Sequence, residues 1–147
     1  MKSSIELPSL SDFRHNTEAQ LRFNDIDILG HVNNTVYLSL YDLGKARYME
    51  AVNHGKVNWQ RVESIIANIN CSFVNQMRFG DNIKVYTRCV AIGKKSYTLE
   101  QVLADDKGEI KSLCRTIMVA YDPTERKAVE VSENWRRNVE SFEGKKF

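Results

Sequence analysis

No stretch of this sequence approaches the ~20 consecutive apolar residues that a bilayer-spanning helix needs. Residues 1–10 also lack the apolar core and cleavage pattern of a secretory signal. Proline occurs twice and cysteine three times in 147 residues. Cys71, Cys89 and Cys114 are odd in number and no two are spaced as C-x-x-C. That argues against a disulfide framework and for a reducing, cytoplasmic setting. All three fall in strand-patterned stretches, where a free thiol acts as a small buried hydrophobe. His15, His31 and His54 share no ligand spacing with one another or with the cysteines, so no metal site is expected. Charge of one sign is scarce as well. The formal net charge of +2 supplies no strong basic face, and no nucleic-acid partner is expected.

What remains is an ordinary globular composition, 42% hydrophobic and 27% charged, at a length that buries one core. No repeat, low-complexity tract or linker divides residues 1–147, which read as one domain. Residues 1–16 are polar and irregular, and a loosely ordered lead-in is expected there. A short strand fits residues 17–23, and residues 24–33, rich in Asn, Asp and Gly, read as a turn. The best helix follows, over residues 34–52. Tyr37, Leu40, Tyr41, Gly44, Tyr48 and Ala51 recur at three- and four-residue intervals, with Asn33 as N-cap and residues 53–55 as a stop. Val36, Leu43, Met49 and Val52 widen the apolar surface, so the helix is expected to be wrapped by other structure.

The rest is strand-like. Over residues 65–73 every odd position is apolar (Ile65, Ala67, Ile69, Cys71, Phe73), which is period-two alternation. Residues 83–92, 96–104 and 110–121 read similarly, joined by the turns at 93–95 and 105–108. Ser132 caps a short amphipathic helix that ends near Phe142. A strand, a long helix, four consecutive antiparallel strands and a closing helix make an α+β domain with one curled sheet around the helix. Unpaired edges of such a sheet invite side-by-side dimerisation.

Most of the functional signal lies in Arg22-Phe23-Asn24-Asp25-Ile26-Asp27-Ile28-Leu29-Gly30-His31-Val32-Asn33-Asn34-Thr35-Val36-Tyr37-Leu38. This segment resembles the pattern R-[FY]-x-D-x-D-x-x-G-H-V-N-N-x-x-Y-L of hotdog-fold acyl-CoA thioesterases of the 4-hydroxybenzoyl-CoA thioesterase type. Arg78-Phe79-Gly80-Asp81, Gly93-Lys94-Lys95-Ser96-Tyr97 and residues 131–142 carry weaker resemblance to later parts of that family. One stretch departs from it. Where the family has an aromatic and then E-E-A-R, this chain has Tyr41-Asp42-Leu43-Gly44-Lys45, which keeps charge but alters reach.

The resemblance implies a hotdog fold, a long central helix wrapped by a curled antiparallel sheet of about five strands. It implies hydrolysis of an acyl-CoA thioester with no cofactor, in a homodimer or homotetramer whose active sites lie at subunit interfaces. It carries the catalytic carboxylate onto Asp27 and the oxyanion-binding N–H onto the helix start, at or near Asn34. The residues support this independently. Thioester hydrolysis needs a nucleophile or base near the carbonyl and donors aimed at the oxyanion. A helix N-terminus supplies unpaired N–H groups and a favourable dipole. Whether Asp27 attacks or activates a water stays open.

Read more blandly, an Asp before a helix is a turn or capping residue, and Asp25 is assigned that role. His31 has a pKa suited to general base work, yet shaping the loop is its favoured role. Gly30 is assigned to backbone geometry, a positive φ or a close approach to the thioester. Tyr37 is core that lies near enough to the helix start to touch the acyl group. Lys94, Lys95 and Ser96, with Arg88 and Arg115 on neighbouring strands, either read coenzyme A phosphates, partly from a second subunit, or form a solvated hairpin. Rival readings keep the reaction but move it to acyl carrier protein, retain the fold as a non-catalytic acyl-CoA-binding module, or make it a hotdog dehydratase.

Overall fold

The computed structural model describes residues 5–61 and 63–147. The expected lead-in divides there. Residues 1–4 lie outside the described residues, while Leu10–Asp12 forms a 3₁₀ turn and His15 already begins the first strand. Phe13 is buried with Val102 and Leu113, and Leu10, Tyr86 and Ile110 pack around them. Apolar side chains at positions 10 and 13, spaced for one turn, hold this segment on the outer face of the sheet. Residues 10–16 are therefore ordered structure.

Strand β1 (His15–Ala19) is followed by a 3₁₀ turn at Phe23–Asp25, helix α1 (Asn34–Val52), β2 (Ser64–Phe73), β3 (Ile83–Ile92), β4 (Ser96–Asp105), β5 (Ile110–Asp122), β6 (Lys127–Ala128) and α2 (Glu133–Glu143). The sheet order is β1-β3-β4-β5-β2, all antiparallel, with the two-residue β6 beside β5. The helix occupies the expected residues. The first strand does not, since it sits earlier and stops at Ala19 because Arg22 and Asp25 bond to each other and curl the chain into a turn. β2 crosses the whole sheet to become an edge, a placement that its own alternation cannot reveal.

α1 packs on β1, β3 and β4. Tyr37, Leu40, Tyr41, Gly44, Lys45, Tyr48 and Val52 are its buried positions, the expected stripe with Lys45 added and Val52 in place of the half-buried Ala51. Gly44 permits a close approach: a Cβ there would lie 2.4 Å from Val85 Cγ1 and 2.9 Å from Gln101 Nε2. Gln101 uses that space to donate to the Tyr41 carbonyl at 3.0 Å and to Thr87 Oγ1 at 2.9 Å. Lys45 lies along the same face and pairs with Asp42 at 3.0 Å. The stretch that departs from the family pattern thus has a packing reason in this chain. The expected wrapping is incomplete within one chain, because Leu38 is exposed and Leu43 half-buried.

β2 differs from its neighbours. A bulge at Ala67 shifts its register against β5 between Ile66 and Asn68. The odd-numbered alternation read from the sequence therefore breaks there. Ile66 joins Ile69, Cys71 and Phe73 on the helix-facing side, opposite Met118, Thr116, Cys114 and Ser112. Three of these four stay substantially open, with Phe73 51% and Ile66 44% exposed.

α2 closes the far end of the molecule. Ser132 caps it by accepting from the Trp135 N–H at 3.2 Å, and Gly144, at φ 68°, ends it in a left-handed turn. Its Glu143 is buried, accepting from the Tyr48 hydroxyl at 2.6 Å and from the Cys89 N–H at 3.0 Å. No helix among the described residues is long and apolar enough to cross a membrane.

Candidate active site

The loop before α1 is built from short-range bonds that its sequence dictates. Asp25 is 3% exposed, and its carboxylate accepts from the Arg22 N–H at 2.8 Å and from the Arg22 guanidinium at 2.9 Å. That hydrogen bond holds the Asp25 carboxyl below its usual pKa range, against the effect of burial. The Asp25 carbonyl receives the Asn33 N–H at 2.8 Å. Asp25 therefore ties the two ends of the loop together, the architectural role expected of it.

Between those ends the chain makes a small hairpin. Ile26 bridges to Val32, the Asp27 N–H donates to the His31 carbonyl at 3.0 Å, and the Gly30 N–H donates to the Asp27 carbonyl at 3.0 Å. Gly30 has φ 78° and an unobstructed Cβ direction, so glycine is there for its left-handed backbone rather than for lack of room. The Asp27 side chain stabilises the turn through Oδ1, which accepts the Leu29 N–H at 2.9 Å. Its other oxygen, Oδ2, accepts no hydrogen bond among the described residues. Asp27 is half-buried, while Ile28 and Leu29 at the tip are exposed.

The hairpin sits against the helix start. The Val32 N–H donates to the Met77 carbonyl at 2.9 Å, and Asn33 caps α1 by accepting from the Thr35 N–H at 2.9 Å. The Val36 N–H is taken by the Asn33 carbonyl at 2.9 Å. Of these first-turn donors the exposed Asn34 N–H is left without a hydrogen bond among the described residues. Among the described residues one Asp27 carboxylate oxygen and the Asn34 N–H are thus both uncommitted, the first in the hairpin and the second at the helix start. A negatively charged group developing there would meet both the donor and the positive end of the helix dipole.

Tyr37 lies beneath. It is buried, edge-to-face with Phe73 at 5.0 Å, and its hydroxyl accepts from the Met77 N–H at 3.3 Å. Burial raises its pKa, so it stays a neutral phenol. The structure also reveals a repetition that the sequence reading passed over. Arg22-Phe23-Asn24-Asp25 and Arg78-Phe79-Gly80-Asp81 make the same side-chain bond, each Arg N–H donating to its Asp carboxylate at 2.8 Å, on different backbones, since Asn24 lies in a 3₁₀ turn and Gly80 has φ 97°. The two turns meet through Phe23 and Phe79, exposed and edge-to-face at 6.2 Å. The recurring R-F-x-D was the signal available to find them.

Lys94, Lys95 and Ser96 lie elsewhere. Ala19 pairs with Ile83 at the Asp27 end of the sheet, while the β3–β4 turn is at the other end of β3, about 30 Å away at ~3.3 Å per residue. There Lys94 pairs with Glu130 at 3.4 Å, and the Ser96 carbonyl accepts from the Gly93 N–H at 2.7 Å. Arg88 and Arg115 are engaged on the outer face, where they hold the buried Glu100 carboxylate at 2.6 and 2.7 Å. Glu100 thus has two arginine partners. Among the described residues no cluster of three His, Cys, Asp or Glu side chains is arranged to hold a metal ion.

A long helix laid across one curled antiparallel sheet, with an acid-bearing hairpin closing on the helix start, is the hotdog arrangement of thioester-cleaving enzymes. The chain belongs to the thioesterase-like superfamily, whose family model matches residues 21–139. It is similar to the long-chain acyl-CoA thioesterase FadM of Escherichia coli (strain K12), 24% identical over 130 residues that cover 86% of this chain and 97% of FadM. Its structure resembles a thioesterase of Thermus thermophilus solved with coenzyme A and Zn, with TM-score 0.84 and 25% identity over 92% of this chain and 98% of that one. It shares its fold with a 4-hydroxybenzoyl-CoA thioesterase variant solved with 4-hydroxybenzoyl-CoA, at TM-score 0.76, 20% identity and coverage of 85% and 97%. The protein is a thioester hydrolase.

Proposed function

We propose that the protein hydrolyses an acyl-CoA thioester, with Asp27 as nucleophile or general base and the Asn34 N–H as oxyanion donor. The observation that carries this reading is the hairpin at residues 26–32, whose Asp27 keeps one carboxylate oxygen unengaged among the described residues and which leads into the unengaged Asn34 N–H at the start of α1. In either version Asp27 begins ionised. It attacks the thioester carbon to give an anhydride, or it takes a proton from a water that attacks. Negative charge then grows on the carbonyl oxygen, where the Asn34 N–H and the helix dipole stabilise it. The carbon–sulfur bond breaks and the thiolate departs, leaving the free acid in the water route or an Asp27 anhydride that a water then cleaves to the acid and the regenerated carboxylate. Gly30 and His31 serve through their backbone, keeping Asp27 in place, and Tyr37 with Phe73 floors the acyl side. FadM and the Thermus neighbour support the choice of acyl-CoA as the substrate class.

The active assembly is a homodimer, or a tetramer built from it, joined through β2. Among the described residues the outer backbone edge of β2 is unpaired, and the open Ile66, Ile69 and Phe73 border it. A two-fold axis through that edge sets the strands antiparallel. The end of the partner's sheet that carries its Lys94–Ser96 turn then comes to the same side as this chain's Asp27. In that arrangement the basic turn of one subunit serves the site of the other.

The test is thiol release from short, long and aromatic acyl-CoAs and from the matching acyl carrier protein thioesters, by wild type and Asp27→Asn. The expected result is turnover of CoA thioesters and a kcat at least ~100-fold lower in the variant. Turnover of carrier-protein thioesters alone overturns the CoA assignment, and an unchanged kcat in Asp27→Asn overturns the catalytic one.

A further inference from the structure

Two of the three cysteines face each other. Cys71 of β2 and Cys114 of β5 are directly opposed partners in the antiparallel register. Opposed residues in such a ladder have Cα atoms about 4.5 or 5.5 Å apart, depending on the pair type, and both values fall within the span that a disulfide bridges. Both side chains point to the helix-facing side, Cys114 within the core around Tyr37 and Tyr41 and Cys71 packed against it. Neither uses the free backbone edge of β2. Cys71 is half-buried and Cys114 is buried. Cys89 is far away, buried beside Tyr48 and Leu99.

We propose that Cys71 and Cys114 are a reversible oxidation site, closing to an intramolecular disulfide with hydrogen peroxide as the class of oxidant. The surroundings favour the chemistry. Pairing with the neighbouring Cys71 lowers the Cys114 pKa, against burial and helped by Thr116 and the Lys45 ammonium. The same pairing, with burial, pushes the Cys71 thiol up. Cys89 is held by burial at about 12 and is inert by comparison. In the first step the Cys114 thiolate takes the Cys71 thiol proton as the Cys71 sulfur bonds to an oxygen of the peroxide. The O–O bond breaks, and the displaced hydroxide takes that proton from Cys114 and leaves as water. The Cys114 thiolate then attacks the Cys71 sulfur; the S–S bond forms, the S–O bond breaks, and hydroxide leaves as water after taking a proton. Two thiols lose two electrons and two protons, and the peroxide becomes two waters.

The bond would fasten the edge strand β2 to β5 beneath the Tyr37–Phe73 pair. The experiment treats the full chain with hydrogen peroxide near pH 8, then counts thiols under denaturing conditions and maps peptides by mass spectrometry. The expected result is a fall from three free thiols to one, a peptide pair joined through Cys71 and Cys114 and lighter by two hydrogens, and recovery with dithiothreitol. Cys89→Ser should leave the cross-link intact, and Cys71→Ser should abolish it. Retention of all thiols, disulfide-linked dimers on a non-reducing gel, or loss of Cys89 before the other two would overturn the proposal.

Discussion

Replacing Gly44 by alanine sets helix propensity directly against packing. In an open helix the change is favourable by about 1 kcal/mol, because glycine is the poorest ordinary helix former. Here the added Cβ would stand 2.4 Å from Val85 Cγ1, 3.1 Å from Val85 Cβ and 2.9 Å from Gln101 Nε2. Carbon atoms prefer about 3.5–4.0 Å, so the overlap with Val85 exceeds an ångström. Val85 is fully buried and β-branched, with little freedom to turn away. Gln101 can retreat only by giving up its bonds to the Tyr41 carbonyl and Thr87, each worth about 1 kcal/mol. Overpacking of a tight core costs about 1–3 kcal/mol by itself. With the propensity gain subtracted, Gly44→Ala should lose about 3 kcal/mol, a fall in Tm of roughly 6–12 °C for a chain of this size. Urea and thermal unfolding at one fixed protein concentration measure it. Val85→Ala in the same molecule should recover about 1 kcal/mol of the loss as a coupling energy. A Gly44→Ala protein as stable as the wild type would refute the close helix–sheet approach.

Other consequences can be checked on the same preparations. Asp25 is held below its usual pKa of 3.8 by Arg22. Asp105, whose burial opposes ionisation, is held below it by the Glu109 and Lys107 N–H groups and by Lys111. A depressed folded-state value means that the unfolded chain binds the proton more readily. The stability that these groups confer is therefore complete above about pH 4 and is lost as pH falls through their folded-state values. Unfolding curves from pH 6 downward should show that loss, reduced in Asp25→Asn; an unaltered acid limb in the variant would contradict it. Ile69→Lys places a charge beside the free edge of β2 and should shift the protein towards monomer in light scattering, whereas an unchanged assembly would place the interface elsewhere. Glu100→Gln leaves Arg88 and Arg115 facing a neutral amide and should cost about 2 kcal/mol, read by urea unfolding, with the solvent exposure of Arg115 keeping the loss below that of a fully buried pair.

The parts of the fold that rest on local chemistry were readable from the sequence. The limits of α1 follow from Asn33 and from the stripe that begins at Tyr37. The cap of α2 follows from Ser132, and the strand turns from their Gly and Asp residues. What the sequence hid depends on partners distant along the chain. β1 was placed too late because the Arg22–Asp25 pair curls residues that alternate like a strand. The bulge at Ala67 was invisible because Ile65 to Phe73 alternates without a break, and only pairing with β5 reveals the extra residue. β2's position at the sheet edge, Glu100 between two arginines, and Cys71 opposite Cys114 all depend on strand order, which periodicity does not encode. The hairpin at Asp27 was legible because its spacing is fixed within a few residues. The turn Lys94–Ser96 could be named, yet its distance from Asp27 needed the sheet register.

The central claim is that the Asp27 carboxylate performs chemistry rather than merely closing a turn. Single-turnover hydrolysis of an acyl-CoA that wild type consumes, measured beside calorimetric binding of the same substrate, separates those roles. Asp27→Asn keeps an oxygen that can accept the Leu29 N–H, so the loop and the binding constant should be retained. The hydrolysis step should slow by at least ~100-fold. Hydrolysis at the wild-type rate in a variant that binds normally would contradict the account.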